Sequence, residues 1–104
     1  MLMVKFVCPE EQEANSIADV LLVKGLVAST QIKEIDSKFG WNNELVLTTE
    51  YEVTCFTRRF HFPKIVEAIE RNHSYEVPQI IGIPIEYANT KFIDWVNKSV
   101  GGDT

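Results

Sequence analysis

The stretch Glu44-Leu45-Val46-Leu47-Thr48-Thr49-Glu50-Tyr51-Glu52-Val53-Thr54-Cys55-Phe56-Thr57-Arg58-Arg59-Phe60 reads as one continuous β-strand. Its odd positions, Leu45, Leu47, Tyr51, Val53 and Cys55, form one face with Thr49 among them, and Val46, Thr48, Glu50, Glu52, Thr54 and Phe56 form the other. Seventeen residues extend about 55 Å at ~3.3 Å per residue, far past the usual five or six. One small domain does not cover such a strand, so part of it must twist away, bulge, or find a partner from another chain. Upstream, Asn42-Asn43 is a turn signal, and Leu26 to Ile35 reads as a second strand that continues irregularly to Trp41.

The rest of the chain falls into place around this pair. Leu2 to Cys8 reads as a first strand, stopped by Pro9. Pro9-Glu10-Glu11 opens a helix whose Ala14, Ile17, Ala18, Leu21 and Leu22 form an apolar stripe, and Gly25 ends it. Pro63 opens a second helix with Ile65, Val66, Ala68 and Ile69 as its buried side. After Pro78, Gln79 to Tyr87 reads as a fourth strand with Ile81, Ile83 and Ile85 on one face; Pro84, which cannot donate to a ladder, puts it at an edge or a bulge. Asn89 caps a last helix with Phe92, Ile93, Val96 and Val100 as its stripe. The order β-α-β-β-α-β plus a terminal helix predicts an α+β, ferredoxin-like antiparallel sheet in one domain over residues 1–100, with Gly101 to Thr104 as a disordered tail.

With 104 residues and ordinary composition, the chain is long enough for one core without a staple. A net charge of -5 with no basic run argues against nucleic acid. The apolar run from Met1 to Cys8 is too short for a signal peptide or a membrane span. Cys8 and Cys55 lie in no zinc-type spacing and read as reduced thiols, which points to the cytoplasm.

Few residues carry chemistry. His73 stands at the end of the second helix, where the dipole favours it as a cap, and is the candidate ligand, with Tyr75 and Glu76 beside it. Cys8 meets a helix N-terminus, a place that lowers a thiol pKa, although cysteine is also commonly buried. Cys55 reads as buried and His61 as an exposed loop residue. Glu50 and Glu52 share a strand face, about 7 Å apart, and suit acid–base work, a hard cation or a solvated surface; Arg58 and Arg59 are placed to answer them across an interface. Phe39 and Trp41 flank Gly40 before the turn as a partner surface or a local core. No nucleophile–base pair, glycine-rich phosphate loop or HExxH motif is present, and Cys8-Pro9-Glu10-Glu11 puts acids where an acylphosphatase needs an anion loop, so no enzyme is expected.

Several stretches, in order, resemble the divalent-cation tolerance (CutA) family: Phe6-Val7-Cys8-Pro9, Ala18 to Ala28, Glu50-Tyr51-Glu52-Val53, Phe92-Ile93-Asp94-Trp95-Val96, and above all His73-Ser74-Tyr75-Glu76-Val77-Pro78-Gln79-Ile80-Ile81, which is similar to the family's His-Pro-Tyr-Glu-Val-Pro-Glu-Ile. The resemblance covers about residues 3 to 100. It implies a homotrimer whose long hairpins pair with neighbouring subunits, a role in divalent-metal tolerance, and a weak copper or zinc site using His73 and Cys8, with Tyr75, Glu76, Trp41 and Arg58 as cleft residues. The family's copper-linked members use a first-strand Cys and two adjacent His; Phe6 and Asn72 stand at two of these positions and only His73 is kept. Ser29, Ser74 and Gln79 replace a family Cys, Pro and Glu. The rival readings are a small-molecule sensor like the PII signalling proteins and a trimeric scaffold without a ligand.

Overall fold

The computed structural model describes residues 1–101; the remainder of the expected tail, residues 102–104, lies outside the described residues. The elements are β1 (Leu2–Cys8), α1 (Glu11–Val23), β2 (Ser29–Trp41), β3 (Glu44–Thr57), a single 3-10 turn (Arg59–His61), α2 (Phe62–Asn72), β4 (Ile80–Pro84) and α3 (Thr90–Val100). The sheet order is β2-β3-β1-β4, with every neighbouring pair antiparallel. This is the expected α+β arrangement. Pro84 ends β4 at the sheet edge, where its missing N–H leaves no ladder bond broken.

The core lies between the sheet and α1 and α2. Val4, Phe6 and Cys8 of β1 and Val53 and Cys55 of β3 point into it and meet Ala14, Ile17, Ala18 and Leu21 of α1 and Ile65, Ala68 and Ile69 of α2. The register puts Phe6 opposite Val53 and Val4 opposite Cys55, so large and small side chains alternate under the helices. The buried Thr57 hydroxyl donates to the Leu26 carbonyl at 2.6 Å. Helix α3 packs on the opposite face, where Phe92 meets Phe56 edge-on with centroids 5.2 Å apart.

Two local signals are realised in full. Gly25, at φ 69°, follows α1; its N–H bonds the Leu22 carbonyl and the Leu26 N–H bonds the Leu21 carbonyl, the paired bonds of a Schellman end. Asn42 and Asn43, at φ 52° and 65°, form a two-residue turn closed by the Trp41–Glu44 pair, the left-handed geometry whose twist matches a hairpin.

Three boundaries differ from expectation. The third strand ends at Thr57, because the chain closes into a turn over Arg59–His61 before Pro63. The second strand starts at Ser29 and not at Leu26, and it is regular to Trp41, held by an unbroken ladder to β3. The fourth covers only Ile80–Pro84, the length that β1 can pair. His61 is half-buried, with Nε2 3.3 Å from the Val100 carbonyl, and is not the exposed loop residue expected.

The β2–β3 ladder outruns the body. Its register continues for six pairs past Glu34–Tyr51 and Ile35–Glu50, from Asp36–Thr49 to Trp41–Glu44, while β1 stops at Cys8 opposite Tyr51. The result is a two-stranded arm on a molecule 44 Å long and 20 Å thin.

Candidate functional site

Only Pro9 and Glu10 separate β1 from α1, so the last residue of the strand lies close to the first turn of the helix. That brings Cys8 and Glu13 together, and the C-terminal end of α2 delivers His73 to the same spot. One ligand atom from each of Cys8, Glu13 and His73 lies within 4.8 Å of the others. Cys8 and His73, singled out in the sequence, are therefore adjacent in space. Glu13 was missed: it reads as one more helix-start acid, and only the packing of α2 on α1 shows where it points.

Each of these groups already has work to do. The His73 ring is buried, its Nδ1 accepts the Tyr75 N–H at 3.0 Å, and its Nε2 donates to the Val7 carbonyl at 2.6 Å. Because Nδ1 accepts the Tyr75 N–H, the ring proton sits on Nε2, where it faces the Val7 carbonyl. The Glu13 carboxylate accepts the Ser74 N–H at 3.2 Å and lies 3.5 Å from His73 Nδ1. The Cys8 thiol is pushed up to about 12, first by burial, then by the charge and hydrogen bond of Glu13 and the charge of Glu50. The lowering expected from a helix N-terminus is overcome because the thiol is fully buried, beside the Glu13 carboxylate. Cys55 is likewise pushed up to about 12 by burial. Both thiols are free. The register sets Cys8 opposite Tyr51 and Cys55 opposite Val4, four positions apart on β1; that is roughly 13 Å of strand, beyond the reach of a disulfide.

Beside this cluster, on the other face of the sheet, the base of the arm and the segment Ser74–Gln79 enclose a cleft of about 710 Å³ lined by Val7, Phe39, Trp41, Val46, Glu50, Tyr75 and Glu76 among others. Glu50 is only 5% exposed, and its carboxylate accepts the Tyr75 hydroxyl at 2.6 Å. Burial, and then the Glu50 hydrogen bond and charge, push the Tyr75 phenol well above its ordinary value, so it remains a donor. Of the expected cleft residues, Tyr75, Glu76 and Trp41 are present and Arg58 is not. Arg58 follows the far end of β3, eight positions beyond Glu50, with its guanidinium 5.2 Å from the Phe60 ring centre. Nor do Glu50 and Glu52 act as a pair: Glu52 binds Lys5 at 3.2 Å and Lys33 at 3.9 Å, while Glu50 turns to Tyr75.

The model of the CutA1 divalent ion tolerance protein family matches residues 2–99. The chain belongs to the CutA1 family. The divalent-cation tolerance protein CutA of Archaeoglobus fulgidus is 36% identical over 92 residues, covering 88% of this chain and 90% of the relative. The CutA of Thermus thermophilus is 32% identical, covering 89% and 91%. A solved structure of the A. fulgidus protein, described there as periplasmic, superposes with a TM-score of 0.94 at 33% identity, covering 97% of this chain and all of the other.

The CutA1 family is named for divalent-cation tolerance and not for a reaction. Against the ligand set that the resemblance implies, Phe6 is fully buried in the core and Asn72 donates its side-chain amide to the Ala68 carbonyl at 2.7 Å. Neither supplies a soft donor. Among the described residues, no helix is long and apolar enough to cross a membrane.

Proposed function

We propose that this CutA1-family chain acts as a cytoplasmic homotrimer in divalent-cation tolerance, without catalysis, and binds copper or zinc ions only weakly through Cys8, Glu13 and His73. The observation that carries the assembly is the arm. From Glu44 to Glu50, β3 has a ladder on one side only, and Leu45 and Leu47 are 73% and 64% exposed. Free edges and exposed apolar side chains on one protrusion invite strand pairing with another chain. An arm that grips the next subunit's body makes a head-to-tail contact, and such contacts form a ring where the rotation between subunits closes. Two free buried thiols suit a reducing compartment.

Weak metal affinity follows from the hydrogen bonds. A cation at His73 Nδ1 displaces the Tyr75 N–H, and one at Cys8 must first expel a proton from a thiol held up to about 12. Sedimentation equilibrium is expected to give about three times the 11.9 kDa chain mass; a species of one chain mass overturns the trimer. Calorimetry with copper and zinc ions is expected to give micromolar or weaker binding that strengthens as pH rises and disappears in His73→Ala. Nanomolar affinity, or binding unchanged in His73→Ala, overturns the ligand assignment.

A further inference from the structure

We propose that the groove between the end of α1 and the side of α2 docks an acidic segment of a partner protein, with its carboxylates held by Lys24, Lys64 and Arg71. The groove has a volume of about 370 Å³ and is lined by Lys24, Leu26, Lys64, Glu67, Ala68 and Arg71. It lies away from the arm. Helix α1 ends at Val23 and β2 begins at Ser29 opposite Phe56, whereas the arm begins beyond Glu34–Tyr51, at the other end of the sheet. The groove walls are helix surface and one loop, with no free strand edge for a neighbouring arm to extend.

Charge gives the groove its sign. The whole chain has 10 Lys and Arg against 15 Asp and Glu, yet the groove lining gathers three cations and one acid. That acid, Glu67, is already answered by Arg71 at 2.7 Å, one turn further along α2. Among the described residues, the Lys24 and Lys64 ammonium groups form no ion pair or hydrogen bond, whereas Lys5 and Lys33 both meet Glu52. Each free ammonium offers three donors and a full charge. Lys64 and Arg71 share one face of α2 about 10 Å apart along its axis at ~1.5 Å per residue, a distance that about three extended residues span. Between the cations, the nearly buried Leu26 and Ala68 form an apolar floor that takes one apolar side chain of the segment.

Other occupants fit less well. A single phosphate needs several donors converging on one point, and Lys24 and Lys64 are exposed chains on separate elements. Nucleic acid carries an unbroken run of phosphates, which the net charge of -5 opposes outside the groove. A short acidic segment meets neither obstacle. At 0.1 M salt, repulsion from the rest of the chain is screened beyond ~10 Å, while charges in contact within the groove still attract.

The test uses the full chain in its native assembly at 0.1 M salt. The probe is a fluorescein-labelled octaglutamate peptide with one central leucine, and its control carries glutamine in place of every glutamate. Fluorescence anisotropy is expected to show saturable, submillimolar binding of the acidic peptide, at least tenfold tighter than the control. Lys24→Glu with Lys64→Glu is expected to weaken it at least tenfold. Lys91→Glu with Lys98→Glu, on α3, shifts the net charge equally and is expected to leave the affinity within about twofold, because contact and not total charge sets it. Arg71→Gln is expected to weaken the peptide at least threefold, and so tests the groove even if the double reversal fails to fold. No saturable binding, equal binding of the control, equal losses in the two double variants, or full binding by Arg71→Gln overturns the proposal. So does displacement of the peptide by equimolar inorganic pyrophosphate, the mark of a phosphate site, or co-sedimentation with anionic vesicles that the groove reversal abolishes, the mark of a membrane surface. Assembly mass is read for every variant. A loss of mass on groove reversal also overturns the proposal, because the groove then lies within a subunit contact.

Discussion

Between Tyr51 and Thr57, β3 has a strand on each side and two helices over one face; between Glu44 and Glu50 it has β2 alone. The same strand thus passes from a body, where Val53 and Cys55 are fully buried, to an arm, where Leu45 and Leu47 on the same face stand in solvent. Alternation of apolar residues continues through both halves. What changes is the supply of covering elements: α1 and α2 have 13 and 11 residues, long enough to roof the body and no more. Periodicity reports which face wants to be buried, and only the count of covering elements reports whether this chain can bury it alone.

The difference makes opposite mutations informative. Phe6→Ala removes a fully buried ring beneath both helices and is expected to cost about 3–5 kcal/mol, measured by guanidinium unfolding. Leu45→Asp with Leu47→Asp changes two side chains that touch little within the chain. In an isolated chain that change stays within about 0.5 kcal/mol. In an assembly that buries both leucines it forfeits about 1.5–3 kcal/mol for each one. The expected outcome is loss of assembly mass and a concentration-dependent melt, with the far-ultraviolet spectrum of the body retained. Unchanged mass would show that the arm faces solvent in the native protein.

A smaller effect separates the two regions by pH. Cys8 and Cys55 both belong to the body, and both thiols are pushed up to about 12. The folded state therefore keeps protons that the unfolded chain loses, and stability is complete below the unfolded thiol value of ~8.5 and falls between there and about 12. Unfolding midpoints at pH 7 and pH 10 check the sign: the midpoint is expected to drop, and Cys55→Ala is expected to lessen the drop. At pH 8 neither thiol should react with an aromatic disulfide reagent until denaturant is added. Rapid labelling of the native protein would show that the strand end carrying Cys8 opens on its own.

Most of the fold was legible because its signals are local. Gly25, Pro84 and Asn42-Asn43 each impose a backbone conformation that the sequence states directly, and helix stripes such as Ala14-Ile17-Ala18-Leu21 face where their spacing puts them. The site was legible in part. Cys8 and His73, singled out by residue type and resemblance, lie together with Glu13, which joins them through the packing of α2 on α1 that no spacing encodes. The burial of Glu50 was hidden for the same reason: on β3 it alternates like any solvent-facing acid, and it is covered only because the segment after α2 folds Tyr75 back over the sheet. Arg58, a cleft residue only by resemblance, follows the end of β3, eight positions beyond Glu50, and does not line this chain's cleft.

The finest test of the comparison lies at the tip of the arm. Asn43 holds φ at 65° in a two-residue turn, a conformation in which glycine has no steric cost and asparagine a small one. Asn43→Gly relieves that cost but loosens the unfolded chain, an opposing effect of roughly 0.4–1 kcal/mol. The two nearly cancel, so global stability is expected to shift by no more than a few tenths of a kcal/mol, on the order of the surface norm. The local readout is more telling. The arm ladder from Asp36–Thr49 to Trp41–Glu44 has no third strand to hold it, so in an isolated chain its amides exchange by fraying from the turn. A better turn then slows exchange at Phe39, Val46 and their neighbours while leaving Phe6 and Val53 unchanged. If a neighbouring subunit holds the arm, the same amides are already protected and open only with the assembly, and the substitution leaves their exchange unaltered. Exchange in the arm that tracks protein concentration and ignores Asn43→Gly is the result expected of the trimer.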